Sequence, residues 1–155
     1  MPNRTFQSNA DKRGEPPQLI IRQGGAGDLE AVAAIQMASP GAAGWKVGDY
    51  LEQDFLVAVA GNRVVGFLVA RSVAEDEREI LNLAVRSDFR RKGVARRLFE
   101  RAMRNFSGSI FLEVRESNGP AVEFYKSLGF KELSRRAGYY DSPAESAIVM
   151  KFHSC

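Results

Sequence analysis

The sequence predicts an α/β fold in which helices cover both faces of a mixed sheet of about seven strands. Short apolar or β-branched runs alternate along the 155 residues with segments whose apolar residues recur at helical spacing. The run from Ile80 to Val85 is unbroken, which indicates a central strand buried on both faces. Gly61-Asn62-Arg63 is a hairpin signal between two further strands, so part of the sheet is antiparallel.

The first half of the domain is predicted to contain strands interrupted by two helices. The strands cover 19–22, 55–60, 64–74 and 78–85. A helix begins near Gly27, with Asp28 as its candidate cap and an apolar stripe that starts at Leu29. Residues 45–53 are predicted to form a weaker second helix.

The second half is predicted to continue with two helices, a strand between them and a closing hairpin. An amphipathic helix begins at Val94, and the strand at 109–114 alternates apolar and polar side chains. Ser117 to Pro120 has the composition of a helix start, and Gly129 is typical of the position that ends one. The last hairpin consists of 130–136 and 146–152.

Composition narrows the functions to be considered. Residues 1–17 are polar and predicted to be a flexible extension, which leaves 18–155 as a single domain. No apolar stretch resembles a membrane span or a secretion signal, so we expect a soluble, cytoplasmic protein. The single Cys155 and the single His153 lie at the end of the chain, so no metal site is expected. Proton transfer must therefore use carboxylates, tyrosine, lysine or water.

A basic, glycine-containing turn precedes the helix that starts at Val94. It reads Arg90-Arg91-Lys92-Gly93 and follows the central strand directly. Unpaired amides in the first helical turn, a small residue and three cations together favour a bound phosphate or pyrophosphate. The alternative interpretation is a basic surface turn with a glycine at the bend.

With these elements in order, the chain from residue 18 onward resembles the GNAT acetyltransferase superfamily. The family's loop has Gln or Arg, two variable residues, Gly, one variable residue and then Gly or Ala, and Arg90, Gly93 and Ala95 fit these places. The closer resemblance is to bacterial ribosomal-protein alanine N-acetyltransferases, which modify a protein's terminal α-amine. The segments that carry it are Asn82 to Val85, Leu112 to Asn118 and Tyr125 to Phe130.

The resemblance implies acetyl-CoA as the cofactor and assigns binding positions. Those implied for the cofactor are Leu83, Ala84, Val85, Arg90, Arg91, Lys92, Gly93, Val94, Ala95, Arg96 and Asn118. Arg136, Tyr139 and Tyr140 resemble the arginine and paired tyrosines that precede the family's final strand. They are implied to contact the acceptor, a protein N-terminus such as that of a ribosomal protein.

Acetyl transfer requires a deprotonated amine, stabilisation of an oxyanion and a proton for the departing thiolate. By resemblance, Glu113 is the base, Tyr125 the acid and the amide of Val85 the oxyanion donor. The residues alone allow plainer roles. Glu113 could be an ion-paired carboxylate beside Arg115, Tyr125 a core aromatic and Asn118 only a helix cap.

Three alternatives for the function remain open at this point. Ala137-Gly138 lengthens the gap before the tyrosine pair, so a small amine or a lysine side chain is an alternative acceptor. The cluster from Arg90 to Arg97 could instead bind nucleic acid, although it lacks interleaved aromatics for stacking. A non-catalytic CoA sensor would keep the basic turn without needing Glu113. The sequence does not indicate an oligomeric state.

Overall fold

The computed structural model describes residues 18–39, 45–141 and 144–154; the predicted extension over 1–17 lies outside them. The elements are β1 (Leu19–Gln23), α1 (Leu29–Met37), β2 (Asp54–Ala60), β3 (Arg63–Ala74), β4 (Glu77–Val85), α2 (Val94–Ala102), β5 (Gly108–Arg115), α3 (Gly119–Leu128), β6 (Lys131–Asp141) and β7 (Ala144–Ser154). Each predicted strand is present, and the two strands of the closing hairpin are longer than predicted.

All seven strands belong to one sheet, in the order β1-β2-β3-β4-β5-β7-β6. The neighbours are antiparallel except for β4 and β5, which are parallel. The predicted mixed sheet of seven strands, with the Ile80 to Val85 run at its centre, is therefore confirmed.

The helices divide between the two faces of this sheet. Phe67 and Leu68 point to opposite faces because successive side chains of a strand alternate. Phe67 packs in a cluster with Val32 of α1, whereas Leu68 packs with Leu98 of α2. Phe99 of α2 shares a further cluster with Val122 of α3. One face therefore carries α1 and the other carries α2 and α3, which confirms the prediction of helices on both faces.

The two parallel strands pair over only a short length. Register pairs join them at Glu77, Arg78 and Glu79 of β4, and no pair is recorded within the described strands beyond that point. The rest of β4, up to Val85, thus leaves a gap between itself and β5. Backbone groups that line such a gap are available to a ligand because no neighbouring strand uses them.

A β-bulge lies where the gap begins. Asn82 pairs with Val69 of β3 but Ile80 pairs with Ala70, so Leu81 is an extra residue in β4. No residue of the apolar run signals this bulge. Its effect is that Leu81 and Asn82 both face α1, since Leu81 packs in the α1 cluster and Asn82 bonds to a residue of α1.

Two local predictions were wrong. Residues 45–53 do not form an α-helix; a 3-10 turn covers Val47–Glu52. Asp28 does not cap α1, because its carboxylate accepts from the Arg22 guanidinium at 2.9 and 3.0 Å and from the Gly25 amide at 2.8 Å. The two bonds from the guanidinium direct this carboxylate toward Arg22 of β1 and away from the amides of α1. The bonds from Arg22 also hold the pKa of Asp28 below its usual value.

Candidate active site

The basic turn before α2 forms a concave row of backbone amides. Arg91 and Gly93 both have left-handed backbones, with φ of 63° and 82°, and the first helical bond runs from Arg97 N–H to Gly93 C=O at 3.0 Å. The first helical turn contributes the amides of Val94, Ala95 and Arg96, which have no acceptor within the helix. A Cβ at Gly93 would meet no atom within 4 Å, so the space beside this backbone is open to an anion.

The cations of this turn are divided between two tasks. The Arg90 guanidinium donates to the Val85 carbonyl at 3.0 Å and reaches Ser39 Oγ at 3.5 Å, so it fastens the turn to the end of β4. Arg91, Lys92 and Arg96 are exposed, and none of them has an ion-pair partner within the described part of the chain. These three positive charges remain exposed, and Arg90, one of the three cations of the predicted anion site, is instead used within the protein.

Alternation along β4 decides which backbone groups face the gap. Arg86 N–H donates to the Val65 carbonyl at 2.8 Å, so every second residue before it, including Ala84, directs its polar groups toward β3. Leu83 and Val85 therefore direct theirs toward the gap. The Leu83 amide donates to Asn82 Oδ1 at 3.0 Å, and the Val85 carbonyl accepts from Arg90. The Val85 amide therefore faces the gap without either of these bonds.

Glu113 joins the residues predicted to contact the acceptor. It lies on the α1 face of β5, mostly buried, and accepts from Arg136 Nη1 at 2.7 Å. The Tyr139 phenol donates to the same carboxylate, and its ring lies 4.2 Å from the Arg136 guanidinium carbon. Glu113 is thus an ion-paired carboxylate, as the plainer interpretation of the sequence allowed, but its partner is Arg136, and Arg115 bonds Glu145 at 3.0 Å instead. Glu113, Arg136 and Tyr139 are called the acceptor cluster below.

Ala137-Gly138 brings Tyr139 to this cluster. Arg136 pairs with Ala147 of β7 and Tyr140 with Glu145, so β6 contains two residues more than β7 over this stretch. Gly138 relieves the strain of the bulge with a φ of 65°. Burial raises the pKa of Tyr139, and Glu113 raises it further, so the phenol stays protonated and acts as a donor. The Tyr140 side chain lies outside the described part of the structure.

Tyr125 and Asn118 lie on the opposite face, on α3. Tyr125 packs against Phe124 and Phe130 with ring centroids 5.5 Å away in each case, and no described residue bonds its hydroxyl. Burial raises the pKa of Tyr125, so its proton is retained at neutral pH. Asn118 caps α3, since its Oδ1 accepts from the Ala121 amide at 3.3 Å. The helix-cap role of Asn118 is thus confirmed.

A buried polar network behind β4 was not identified from the sequence. Asn82 Nδ2 donates to Gln36 Oε1 at 3.2 Å and to Tyr50 Oη at 3.1 Å, and Tyr50 donates to Gln36 Oε1 at 2.6 Å. Gln36 Nε2 donates to the Trp45 carbonyl at 2.8 Å. Burial raises the pKa of Tyr50, while the bond from Asn82 opposes that shift. The one signal in the sequence was a polar residue inside the otherwise apolar Ile80 to Val85 run.

Several other kinds of site find no support within the described residues. They include no group of three metal-ligating side chains and no helix long and apolar enough to cross a membrane. Phe99 is buried, and the Phe106 ring is covered by the Arg78 guanidinium at 5.6 Å. Neither aromatic is available to stack on a base, which argues against the nucleic-acid alternative.

Residues 33–130 match the model of the acetyltransferase (GNAT) family, and the chain belongs to this family. The class of enzyme and the acetyl-CoA donor expected from the sequence are confirmed at this level. The family match covers the gap between β4 and β5, the basic turn and α3.

Named relatives share the fold and the N-acetyltransferase class. The chain is 37% identical over 101 residues to the [ribosomal protein bS18]-alanine N-acetyltransferase of Salmonella typhimurium, a match covering 61% of this chain and 68% of that protein. It is 34% identical over 113 residues to an N-alpha-acetyltransferase of Saccharolobus solfataricus, covering 62% and 66%. The crystal structure of Ard1 from Thermoplasma volcanium superposes with a TM-score of 0.80 at 29% identity, covering 88% and 98%.

Substitution of Gly93 tests whether the basic turn binds the pyrophosphate of acetyl-CoA. Gly93→Ala forces a side chain into a left-handed backbone, which costs about 1–2 kcal/mol and should weaken acetyl-CoA binding about tenfold by calorimetry. Gly93→Glu adds a carboxylate and should abolish binding. Gly61→Ala is the matched control, because Gly61 also has a positive φ and open space around it but lies in a hairpin turn. Equal acetyl-CoA affinity in all of these variants would place the pyrophosphate elsewhere.

Proposed function

We propose that this chain transfers the acetyl group of acetyl-CoA to the α-amine of a protein N-terminus. The observation that carries the proposal is the gap between β4 and β5. The gap opens the sheet between two faces. One face carries the basic turn and Tyr125, and the other carries the acceptor cluster. A donor and an acceptor held on opposite faces can meet only through that gap. The names of the relatives support an α-amine acceptor.

Several groups on the donor side suit a CoA molecule, which supplies the activated acetyl group when bound. The amides at the start of α2 and three unpaired cations suit its pyrophosphate. Arg91 also lines an open groove of about 560 Å³ with Gly119, Pro120 and Lys126, and the same groove is lined by Glu116, Glu123 and Glu132. The Val85 amide faces the gap and is the proposed donor to the oxygen that becomes negative during transfer.

The acceptor side provides a carboxylate suited to receive a proton from an amine. Glu113 is mostly buried and is held by Arg136 and Tyr139, so its orientation is fixed before an acceptor arrives. A protein α-amine has a pKa of about 8, compared with about 10.4 for lysine, so less of the barrier falls on the base when the acceptor is an α-amine. This difference favours the α-amine over a lysine side chain.

Tyr125 is proposed to return a proton to the departing sulfur. Its hydroxyl is buried and has no partner among the described residues, which is costly unless a ligand occupies the position. Its protonated state and its location on the donor face support this proposal. The cytoplasmic location expected from the sequence stays a prediction.

Removal of the proposed base should separate catalysis from cofactor binding. Glu113→Gln keeps the shape of the side chain, so we expect kcat to fall about 100-fold or more while acetyl-CoA affinity stays within about twofold. Steady-state kinetics and calorimetry measure the two quantities. Asp54→Asn is the control, since Asp54 is also a strand carboxylate paired with an arginine. Undiminished turnover in Glu113→Gln would contradict the assigned role.

Replacement of Tyr125 distinguishes a catalytic acid from a core aromatic by the effect on kcat. If Tyr125 is the acid, Tyr125→Phe lowers kcat about 10-fold or more. The melting temperature should hold or rise, because the variant removes a buried hydroxyl without a partner. A higher melting temperature with unchanged kcat would leave Tyr125 as a core aromatic only.

The acceptor class is tested by mass spectrometry of reactions with acetyl-CoA. The panel contains Ala-initiated ribosomal peptides, the same peptides with a blocked N-terminus and an internal lysine, and polyamines. We expect a single acetyl group on the free α-amine and none on the blocked peptides. Acetylation of lysine or polyamine with the α-amine untouched would replace the proposed acceptor. Binding of acetyl-CoA without any product would support a CoA sensor instead.

A further inference from the structure

Asn82 is a buried carboxamide whose hydrogen-bonding capacity is used on several sides. Its Oδ1 accepts from the Leu83 amide at 3.0 Å, and its Nδ2 donates to Gln36 at 3.2 Å and to Tyr50 at 3.1 Å. Tyr50, itself fully buried, bonds Gln36 at 2.6 Å. The three side chains connect α1, the 3-10 turn and β4 and are called the Asn82 network below.

The β4 bulge and the Asn82 network require each other. If β4 were a regular strand with Leu81 paired in register, Asn82 would point to the same face as Ile80, since residues two apart share a face. That face carries an apolar cluster, where a carboxamide would be buried without partners. The bulge turns Asn82 toward α1, where Gln36 and Tyr50 satisfy it. The network therefore stabilises the bulged register of β4 over the regular one.

This arrangement determines which amide faces the gap. The Leu83 amide donates to the Asn82 side chain and is not available to a ligand. The next amide along β4 that faces the gap is that of Val85. Arg90 holds the Val85 carbonyl at 3.0 Å from the other end. The peptide group of Val85 is thus fixed between the Asn82 network and the basic turn.

We propose that Asn82, Tyr50 and Gln36 are positioning residues for acetyl transfer, which hold the β4 bulge so that the Val85 amide meets the thioester oxygen. This inference rests on the proposed function. None of the three side chains needs to touch acetyl-CoA. Their loss should therefore lower kcat and leave the affinity for acetyl-CoA, which the basic turn provides, nearly unchanged.

The test combines kinetics, calorimetry and amide hydrogen exchange on the full chain. We expect kcat to fall about 100-fold in Asn82→Leu and about 3- to 10-fold in Tyr50→Phe, the range produced by a misplaced donor. Acetyl-CoA affinity should stay within about twofold, and exchange of the Leu83 amide should quicken at least about tenfold in Asn82→Leu.

Two further proteins separate positioning from stability. Val57→Ala removes a fully buried side chain from the same apolar cluster, so it should lower the melting temperature and leave kcat per folded molecule within about twofold. The triple variant Gln36→Leu, Tyr50→Phe, Asn82→Leu leaves none of the three polar groups unsatisfied. Since it also loses the Tyr50–Gln36 bond and the donor to the Trp45 carbonyl, its stability is measured beside its kcat, which should be as low as that of Asn82→Leu.

Each result of these measurements leads to one conclusion about the positioning role. If Asn82→Leu and the triple variant keep the wild-type kcat, or lose it only in proportion to their folded fraction as Val57→Ala does, the positioning role is overturned. If the wild type itself acetylates no amine, the proposed function fails and this inference fails with it. If the wild type acetylates an amine and the Asn82→Leu and triple variants are equally active, only the positioning role is contradicted.

Discussion

The separation of β4 from β5 is the constraint on which the rest of this structure depends. Parallel strands normally pair along their common length, but here the register ends at Glu79. The bulge at Leu81 then bends β4, and its backbone turns polar groups toward the gap instead of toward a neighbour. The basic turn, the acceptor cluster and Tyr125 all derive their proposed roles from lying beside this opening.

The two faces of the sheet carry chemically different surroundings. On the face of α2 and α3, exposed cations and helix-terminal amides favour a phosphorylated donor, and a buried phenol keeps its proton. On the α1 face, one carboxylate is held by an arginine and a second phenol. The proposed proton donor, Tyr125, and the proposed proton acceptor, Glu113, are thus kept on opposite faces of the sheet.

Much of the acceptor cluster depends on an insertion that looked like a departure from the family pattern. Ala137-Gly138 forms a bulge in β6, and Gly138 adopts the left-handed backbone that the bend needs. As a result Tyr139 folds back over Arg136 and reaches Glu113. Spacing in the sequence suggested that the tyrosine pair was displaced, whereas the folded hairpin absorbs the extra length.

The sequence by itself determined the order of the strands and of the three α-helices, the cap at Asn118 and the basic turn, because these follow from periodicity and from bonds between near neighbours. Only the tertiary structure decided the bulge at Leu81, the partner of Glu113 and the Asn82 network. Each joins residues far apart in the chain, as Gln36 and Asn82 show, and no local pattern encodes which of several donors will reach a buried acceptor. Asp28 shows the same limit, since its local role as a cap lost to a charged partner on β1.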